Sequence, residues 1–379
     1  MIPSLDTTIV VIDNGTGLIK AGLAGDDAPR SIFPTVVGKP KMPGILVGLD
    51  QKDVYIGEEV KEKKGVVKLE YPIERALIKD WENMEKIWSY TMYQELHTTP
   101  EEQGILLSEP LLNPREHREK TVRIMFETFN VPYLYLSTQT MLALYSSGKT
   151  TGLVVDIGEG MTNVAPVDDG LQFPLSCANL PIAGRDLTLH LQAHLRKKGY
   201  NLPASDEFDW VQWVKEKLCQ VAPDYEVAVK ESAKSTSMEK EQVLPDGNTI
   251  IKIGLERYQT PEMLFNPIIA GKDLQGIQHY VANSLSKYNK NTRKEMCKSI
   301  ILVGGTTMLP FIGERMKLEL ERLITPKQKI EILAPPEREY STWIGGSVLA
   351  SLTTFSTMCI SKSEYNDIGP EVVHRKCFF

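Results

Sequence analysis

Apolar runs that stop at an acidic residue and pass at once into glycine mark two places in this chain. Ile9-Val10-Val11-Ile12 ends at Asp13 and continues as Asn14-Gly15-Thr16-Gly17-Leu18-Ile19-Lys20. Leu153-Val154-Val155 ends at Asp156 and continues as Ile157-Gly158-Glu159-Gly160-Met161-Thr162. Each stretch predicts a strand, an acidic residue at its end, a tight turn and a second strand. Glycine permits positive φ and a close backbone approach in such a turn. Successive backbone N–H groups there form a concavity that suits phosphate. A carboxylate at each strand end suits a metal ion shared with that phosphate. One such hairpin is a weak signal, because Asp and Gly dominate turns for local reasons. Two at matched positions imply an internal duplication and a two-lobed cleft, with a hairpin gripping a phosphate tail from each side. A third apolar run, Ile300-Ile301-Leu302-Val303, ends in Gly304-Gly305-Thr306-Thr307 and predicts a third wall of the same site. No Gly-x-x-x-x-Gly-Lys-Ser/Thr run exists, which excludes a P-loop.

Strand and helix patterns alternate elsewhere, so the expected class is α/β. Thr7 to Asp13 reads as a strand. Asn113-Pro114-Arg115-Glu116 reads as a helix start with Asn as cap, Pro at the first helical position and Glu at the capping-box position. Trp81, Met84, Trp88 and Met92 recur at helical spacing and are expected in the core. Pro132 to Leu136 reads as a short strand that hands over to a helix at Ser137, with Met141 and Leu144 on its apolar face and Gly148 closing it. Gln139 then falls in the first turn, where ligands of open α/β sheets gather. Between Val37 and Gln51 an apolar segment punctuated by Pro and Gly, from Gly38 to Leu49, reads as a mobile loop with sticky side chains.

With 379 residues, 42% of them hydrophobic, the chain can fill two lobes, each with its own core. The net charge of −6 gives no broad nucleic-acid footprint, and basic runs such as Lys61-Glu62-Lys63-Lys64 are short and mixed with acid. No run of 18 apolar residues predicts a membrane span, and Met1 to Leu5 is too short for a signal, so a cytosolic or nuclear protein is expected. Cys177, Cys219, Cys297, Cys359 and Cys377 form no C-x-x-C pair, which argues against structural zinc and a disulfide framework. Four read as buried hydrophobes; Cys377, near the end, reads as an exposed, modifiable thiol. His190 and His194 stand at i, i+4, a spacing that could suit a metal, but the surrounding Leu189 to Leu195 is better read as an ordinary helix.

Many segments resemble the actin family over nearly the whole length. They include Gly25-Asp26-Asp27-Ala28-Pro29-Arg30, Ile124 to Pro132, Ala183-Gly184-Arg185-Asp186-Leu187-Thr188, Lys215-Glu216-Lys217-Leu218-Cys219, Gly304 to Met308, Ala334 to Arg338, Trp343-Ile344-Gly345-Gly346-Ser347 and Val373 to Phe378. Hsp70 chaperones and sugar kinases share the two-hairpin ATPase core but not these segments. The resemblance implies a two-lobed, four-subdomain ATPase fold of the actin/Hsp70/sugar-kinase type, with a duplicated core and a central nucleotide cleft. Subdomain 1 would comprise 1–34, 71–146 and 340–379; subdomain 2, 35–70, with a mobile loop at 40–51; subdomain 3, 147–183 and 272–339; subdomain 4, 184–271. It also implies ATP or ADP with Mg²⁺ or Ca²⁺. Thr16, Gly17, Leu18 and Lys20 would hold the phosphates from one side, and Glu159, Gly160 and Met161 from the other. Asp13 and Asp156 would meet the metal, mainly through water. Gly184, Lys215, Glu216, Gly305, Met308 and Glu339 would surround base and sugar. Gln139, with Asn163 and Asp156, would orient the attacking water.

Departures from the family pattern fall at informative places. Glu159 is one methylene longer than the usual Asp, and Asn163 replaces a His that helps place the water. Arg75 replaces a commonly methylated His, Glu339 a Lys and Leu309 a Tyr near the adenine. These changes imply slow hydrolysis. Ile268-Ile269-Ala270-Gly271-Lys272 stands where the family carries an apolar plug, losing an aromatic and gaining a charge. Cys359 replaces a Trp, and the acidic N-terminus is reduced to Asp6. Three readings stay open. One is a head-to-tail filament former whose binding proteins dock near Tyr145, Gly148, Ile344 and Leu352. Another is a fixed subunit of an axonemal, dynein or chromatin-remodelling complex, with other actins or motor complexes as partners. The third is a metabolic kinase on the same core, for which no general base beside a second substrate pocket is visible.

Overall fold

The computed structural model describes residues 8–42, 52–324 and 328–378. Most of the expected mobile loop, the reduced acidic N-terminus at Asp6 and the final Phe379 lie outside the described residues. The chain divides into two compact units. The first is Met1–Thr151, Val167–Leu175 and Tyr340–Phe379; the second is Gly152–Pro166 and Ser176–Glu339.

A six-stranded sheet organises the first unit, in the order Ile360–Ser361, Tyr133–Thr138, Gly104–Glu109, Ile9–Asn14, Leu18–Leu23, Ser31–Pro34. Ile9–Asn14 runs parallel to Gly104–Glu109 and antiparallel to Leu18–Leu23, with Asp13 opposite Lys20. Every residue of Ile9–Asn14 and of Gly104–Glu109 is buried. That explains their continuous apolar runs, since a strand covered on both faces has no solvent side on which to place polar residues. Helices Gln139–Ser146 and Ser341–Ala350 pack so closely that a Cβ on Gly345 would fall 1.7 Å from the Leu142 carbonyl oxygen. Trp343 Nε1 donates to the Val11 carbonyl at 3.0 Å, tying Ser341–Ala350 to the central strand. Met84, Trp88 and Met92 are fully buried as their spacing predicts, while Trp81 is only half-buried.

Four expectations for this unit need correction. The helix near residue 115 runs Arg115–Arg123, and no side chain caps it. Asn113 instead donates its amide to Glu109 Oε2 at 3.0 Å, sharing that buried carboxylate with Arg118 at 2.8 Å. The helix after Tyr133–Thr138 starts at Gln139, two residues later than expected, and Thr138 Oγ1 caps it by accepting from Met141 N. Its end at Gly148, with φ +68, is as expected. Val37–Pro40 is not loop. It is the middle strand of a small sheet between Tyr55–Ile56 and Val67–Glu70, held by the buried cluster of Val36, Tyr55, Val60 and Val67. Cys377 is fully buried, not exposed: Leu136 N donates to its Sγ, Arg118 Nη2 holds its carbonyl at 2.7 Å, and burial pushes the thiol up to about 12.

In the second unit Gly152–Ile157 runs parallel to Ile300–Val303, which runs parallel to Ile332–Leu333. Thr162–Asp168 flanks the other side and pairs with Ala178–Leu180. Helices Gly184–Lys197, Glu207–Leu218, Ile277–Ser286 and Ile312–Leu323 supply Leu187, Leu191, Val211, Val214, Val281 and Met316 to one core with these strands.

Candidate functional site

In the first unit the strand Ile9–Asn14 delivers Asp13, only 4% exposed, to the sheet end. Asp13 Oδ1 accepts from Ser108 Oγ at 2.7 Å and Gln139 Nε2 at 3.2 Å, and Oδ2 lies 3.5 Å from Lys20 Nζ. Gln139 Nε2 also donates to the Asn14 carbonyl at 3.1 Å. Its amide nitrogen is thereby fastened twice, which fixes where its Oε1 acceptor sits. Asn14 is itself locked: its N–H donates to Ser108 Oγ at 2.9 Å and its Oδ1 accepts from Trp88 Nε1 at 3.0 Å. The turn between the strands is clamped by Thr35, whose N–H donates to the Gly17 carbonyl at 3.0 Å and whose hydroxyl donates to the Gly15 carbonyl at 2.8 Å. Thr16 Oγ1 accepts from Ala76 N at 3.1 Å, so Thr16 also anchors the turn that carries Arg75 (φ +48) and Ala76 (φ +64).

In the second unit Asp156, 8% exposed, ends the matching strand, and its Oδ2 accepts from Asn163 Nδ2 at 3.0 Å. The turn is held by the Gly158 carbonyl, which accepts from Gly184 N at 3.0 Å and Thr306 Oγ1 at 2.8 Å. The third apolar strand does deliver its glycines here. A Cβ on Gly304 would sit 2.6 Å from Asp156 Oδ1 and 2.5 Å from the Ile157 carbonyl oxygen, at φ +89. Glu159 turns its carboxylate toward the start of helix Gly184–Lys197, where a Cβ on Gly184 would lie 2.6 Å from Glu159 Oε2. Burial raises the Glu159 pKa against the opposing pull of Lys215 and Arg185. Lys215, 4% exposed, donates to the Gly184 carbonyl at 3.1 Å and Thr188 Oγ1 at 2.9 Å. Glu216 is exposed and accepts from Gln212 at 2.9 Å. Gly305 opens the turn Gly305–Met308, where an added Cβ would first meet Glu339 Oε1 at 3.8 Å, and Met308 is 40% exposed.

Asp13, Thr16, Gly17, Leu18, Lys20 and Gln139 thus share one strand-end region. Asp156, Glu159, Gly160, Met161, Asn163, Gly184, Gly305 and Met308 belong to the strand ends, turns and helix starts of the other unit, and Lys215 to the last turn of its helix Glu207–Leu218. None of Gly15, Gly17, Gly158 and Gly160 takes positive φ. Space is what requires glycine at position 15, where a Cβ would meet the Leu18 carbonyl oxygen at 2.5 Å. Ser108 and Thr35 were not singled out from sequence, whereas Thr306 stands in the glycine turn expected as the third wall. Ser108 had a signal, as a polar residue ending the apolar run Ile105-Leu106-Leu107; Thr35 acts through backbone carbonyls and had none.

Two buried carboxylates at strand ends are hard oxygen donors of the kind Mg²⁺ and Ca²⁺ take. Among the described residues no group of three or more His, Cys, Asp or Glu side chains converges on one point. Each carboxylate suits a cation whose shell is otherwise filled by water or phosphate oxygens. No described helix is long and apolar enough to cross a membrane. A family model for actin matches residues 4–378. With that match covering nearly its whole length, the chain belongs to the actin family.

Proposed function

We propose that this actin-family chain binds ATP or ADP with Mg²⁺ or Ca²⁺, hydrolyses ATP slowly and assembles head to tail into cytoskeletal filaments in the cytoplasm. The carrying observation is the pair of buried strand-end carboxylates, Asp13 hydrogen-bonded by Ser108 and Gln139 and Asp156 by Asn163. The first unit contributes Thr16, Gly17, Leu18 and Lys20 to the phosphates. The second contributes Glu159, Gly160 and Met161 to the phosphates and Gly184, Lys215, Glu216, Gly305, Met308 and Glu339 to base and sugar. The divalent cation would neutralise phosphate charge. Gln139, with its amide nitrogen held by Asp13 and Asn14, presents Oε1 to a water proton; such a residue positions a nucleophile and needs no shifted pKa. Asn163 spends a donor on Asp156, and Glu159 is drawn toward Gly184, so neither is placed as freely beside a water as a His and a shorter Asp would be. This supports slow turnover.

One observation favours a second reading, a fixed subunit of a larger assembly. Pro267–Ala270 forms a short 3-10 turn ended by Gly271 at φ +70. Ile268 is 69% exposed, and Lys272 Nζ lies 3.4 Å from Asp186 Oδ1. A segment tied down by an ion pair makes a poorer apolar contact with a neighbouring subunit than one tipped by an aromatic, which would contribute roughly 1.5–3 kcal/mol on full burial. A pelleting assay with ATP, Mg²⁺ and salt distinguishes the two. Filament formation with a high critical concentration, lowered by Ala270→Phe with Lys272→Met, supports the first reading. No pelleting under any condition, with or without that replacement, supports the second.

A further inference from the structure

Helix Gly184–Lys197 turns Leu187, Leu191 and Leu195 into the core of the second unit and carries His190 and His194 half-buried at the edge of that face. Residues four apart on a helix stand one above the other. Here the two Nε2 atoms are 3.1 Å apart, with ring centroids at 4.5 Å and ring planes at 88°. Two metal–nitrogen bonds of about 2.0–2.1 Å, at angles from square to tetrahedral, put their nitrogens about 2.9–3.4 Å apart. The observed spacing lies inside that range. Without metal the same spacing is an N–H···N hydrogen bond in which one ring donates and the other accepts.

We propose that His190 and His194 form a two-imidazole chelate for a borderline divalent transition metal such as Zn²⁺, Cu²⁺ or Ni²⁺. Imidazole prefers these ions to Mg²⁺ or Ca²⁺, so the site differs in selectivity from the oxygen donors Asp13 and Asp156. Metal ligation needs neutral imidazole, and the surroundings supply it. Burial lowers the His190 pKa to about 4, with His194 and Lys197 acting the same way. His194 is lowered by burial too; Glu256 pulls upward, and Lys197 and Lys198 pull down. Glu256 is engaged with Lys198 at 2.8 Å and balances charge rather than adding a ligand. No third His, Cys, Asp or Glu joins the pair among the described residues, so water or an outside ligand fills the remaining positions. A bound ion would also brace two successive turns of the helix.

The test uses the full chain with Mg²⁺ in excess, so that hard oxygen sites are filled. Titrated Cu²⁺ should bind one equivalent, and its electron paramagnetic resonance spectrum should show coupling to two imidazole nitrogens. Ni²⁺ should raise the melting temperature. His190→Gln and His194→Gln should each weaken Cu²⁺ binding by about tenfold or more, the loss that even an outer-shell partner causes, and should leave coupling to one nitrogen. Equal Cu²⁺ affinity in the unmodified chain and the double variant overturns the proposal. So does one-nitrogen coupling in the unmodified chain, a result that needs no variant to fold.

Discussion

The two glycine hairpins share one sequence pattern and a brace seven residues after the aspartate, Lys20 in one and Asn163 in the other, and they differ in what else supports the carboxylate and the turn. The Asp13 hairpin is braced from far along the chain: Ser108, 95 residues away, and Gln139, 126 residues away, hold the carboxylate, while Thr35 closes both carbonyls of the turn. Asp156 is held from within its own hairpin, by Asn163 seven residues on, and its turn leans on a helix start at Gly184 and on Thr306. A repeated motif thus fixes the placement of a carboxylate, while each copy finds its own support. In the first, the support comes from neighbouring strand and helix ends. In the second, it comes from Asn163, a residue at which this chain departs from the family pattern.

The largest expected effect separates function from local turn chemistry. Asp156→Ala should cut metal-dependent nucleotide affinity by about tenfold or more, as removing an essential partner of a bound cation does. Asp27→Ala should leave it within about twofold, because surface changes away from special features cost within ±0.5 kcal/mol. Equilibrium nucleotide binding at fixed Mg²⁺ measures both, and equal losses would break the assignment.

A sharper contrast concerns the glycines. Gly15→Ala would push a Cβ against the Leu18 carbonyl oxygen at 2.5 Å, whereas Gly158→Ala meets only the Met161 carbonyl oxygen at 3.7 Å. Overpacking against backbone destabilises by about 1–3 kcal/mol, so Gly15→Ala should lower the denaturation midpoint and Gly158→Ala should barely move it. Matching shifts in urea melts would mean that the hairpins are equally tight.

Much of this was legible in the strand-end acids. The buried strands, the acidic residue at each end, the third glycine turn and the resemblance all follow from apolar runs and short motifs that act locally. What was not legible acts at a distance or through the backbone. Asn113 has the look of a cap and is diverted by the buried Glu109–Arg118 pair. Cys377 sits near the chain end and is sealed by contacts with Leu136 and Arg118, 241 and 259 residues away. Thr35 clamps carbonyls, a role that any nearby hydroxyl could fill and that no spacing announces. The His190–His194 geometry is a matter of rotamers, which periodicity does not report.

The last contrast is kinetic and lies in the water shell of the second hairpin. Asn163→His with Glu159→Asp replaces the amide now spent on Asp156 with an imidazole and shortens the side chain that reaches Gly184. Single-turnover phosphate release should then quicken, by up to about 10²-fold if misorientation of the water is the whole barrier. An unchanged rate would place the limit elsewhere.

The central claim is that paired strand-end carboxylates serve a bound nucleotide. Its most direct test is the nucleotide content of the purified chain together with its melting temperature in the presence and absence of EDTA. The account predicts about one ATP or ADP per chain and a melting temperature that falls when the cation is removed, since a ligand bound only to the folded state stabilises it by mass action. A chain that purifies without nucleotide and melts at the same temperature whatever the ATP, Mg²⁺ or EDTA would contradict it.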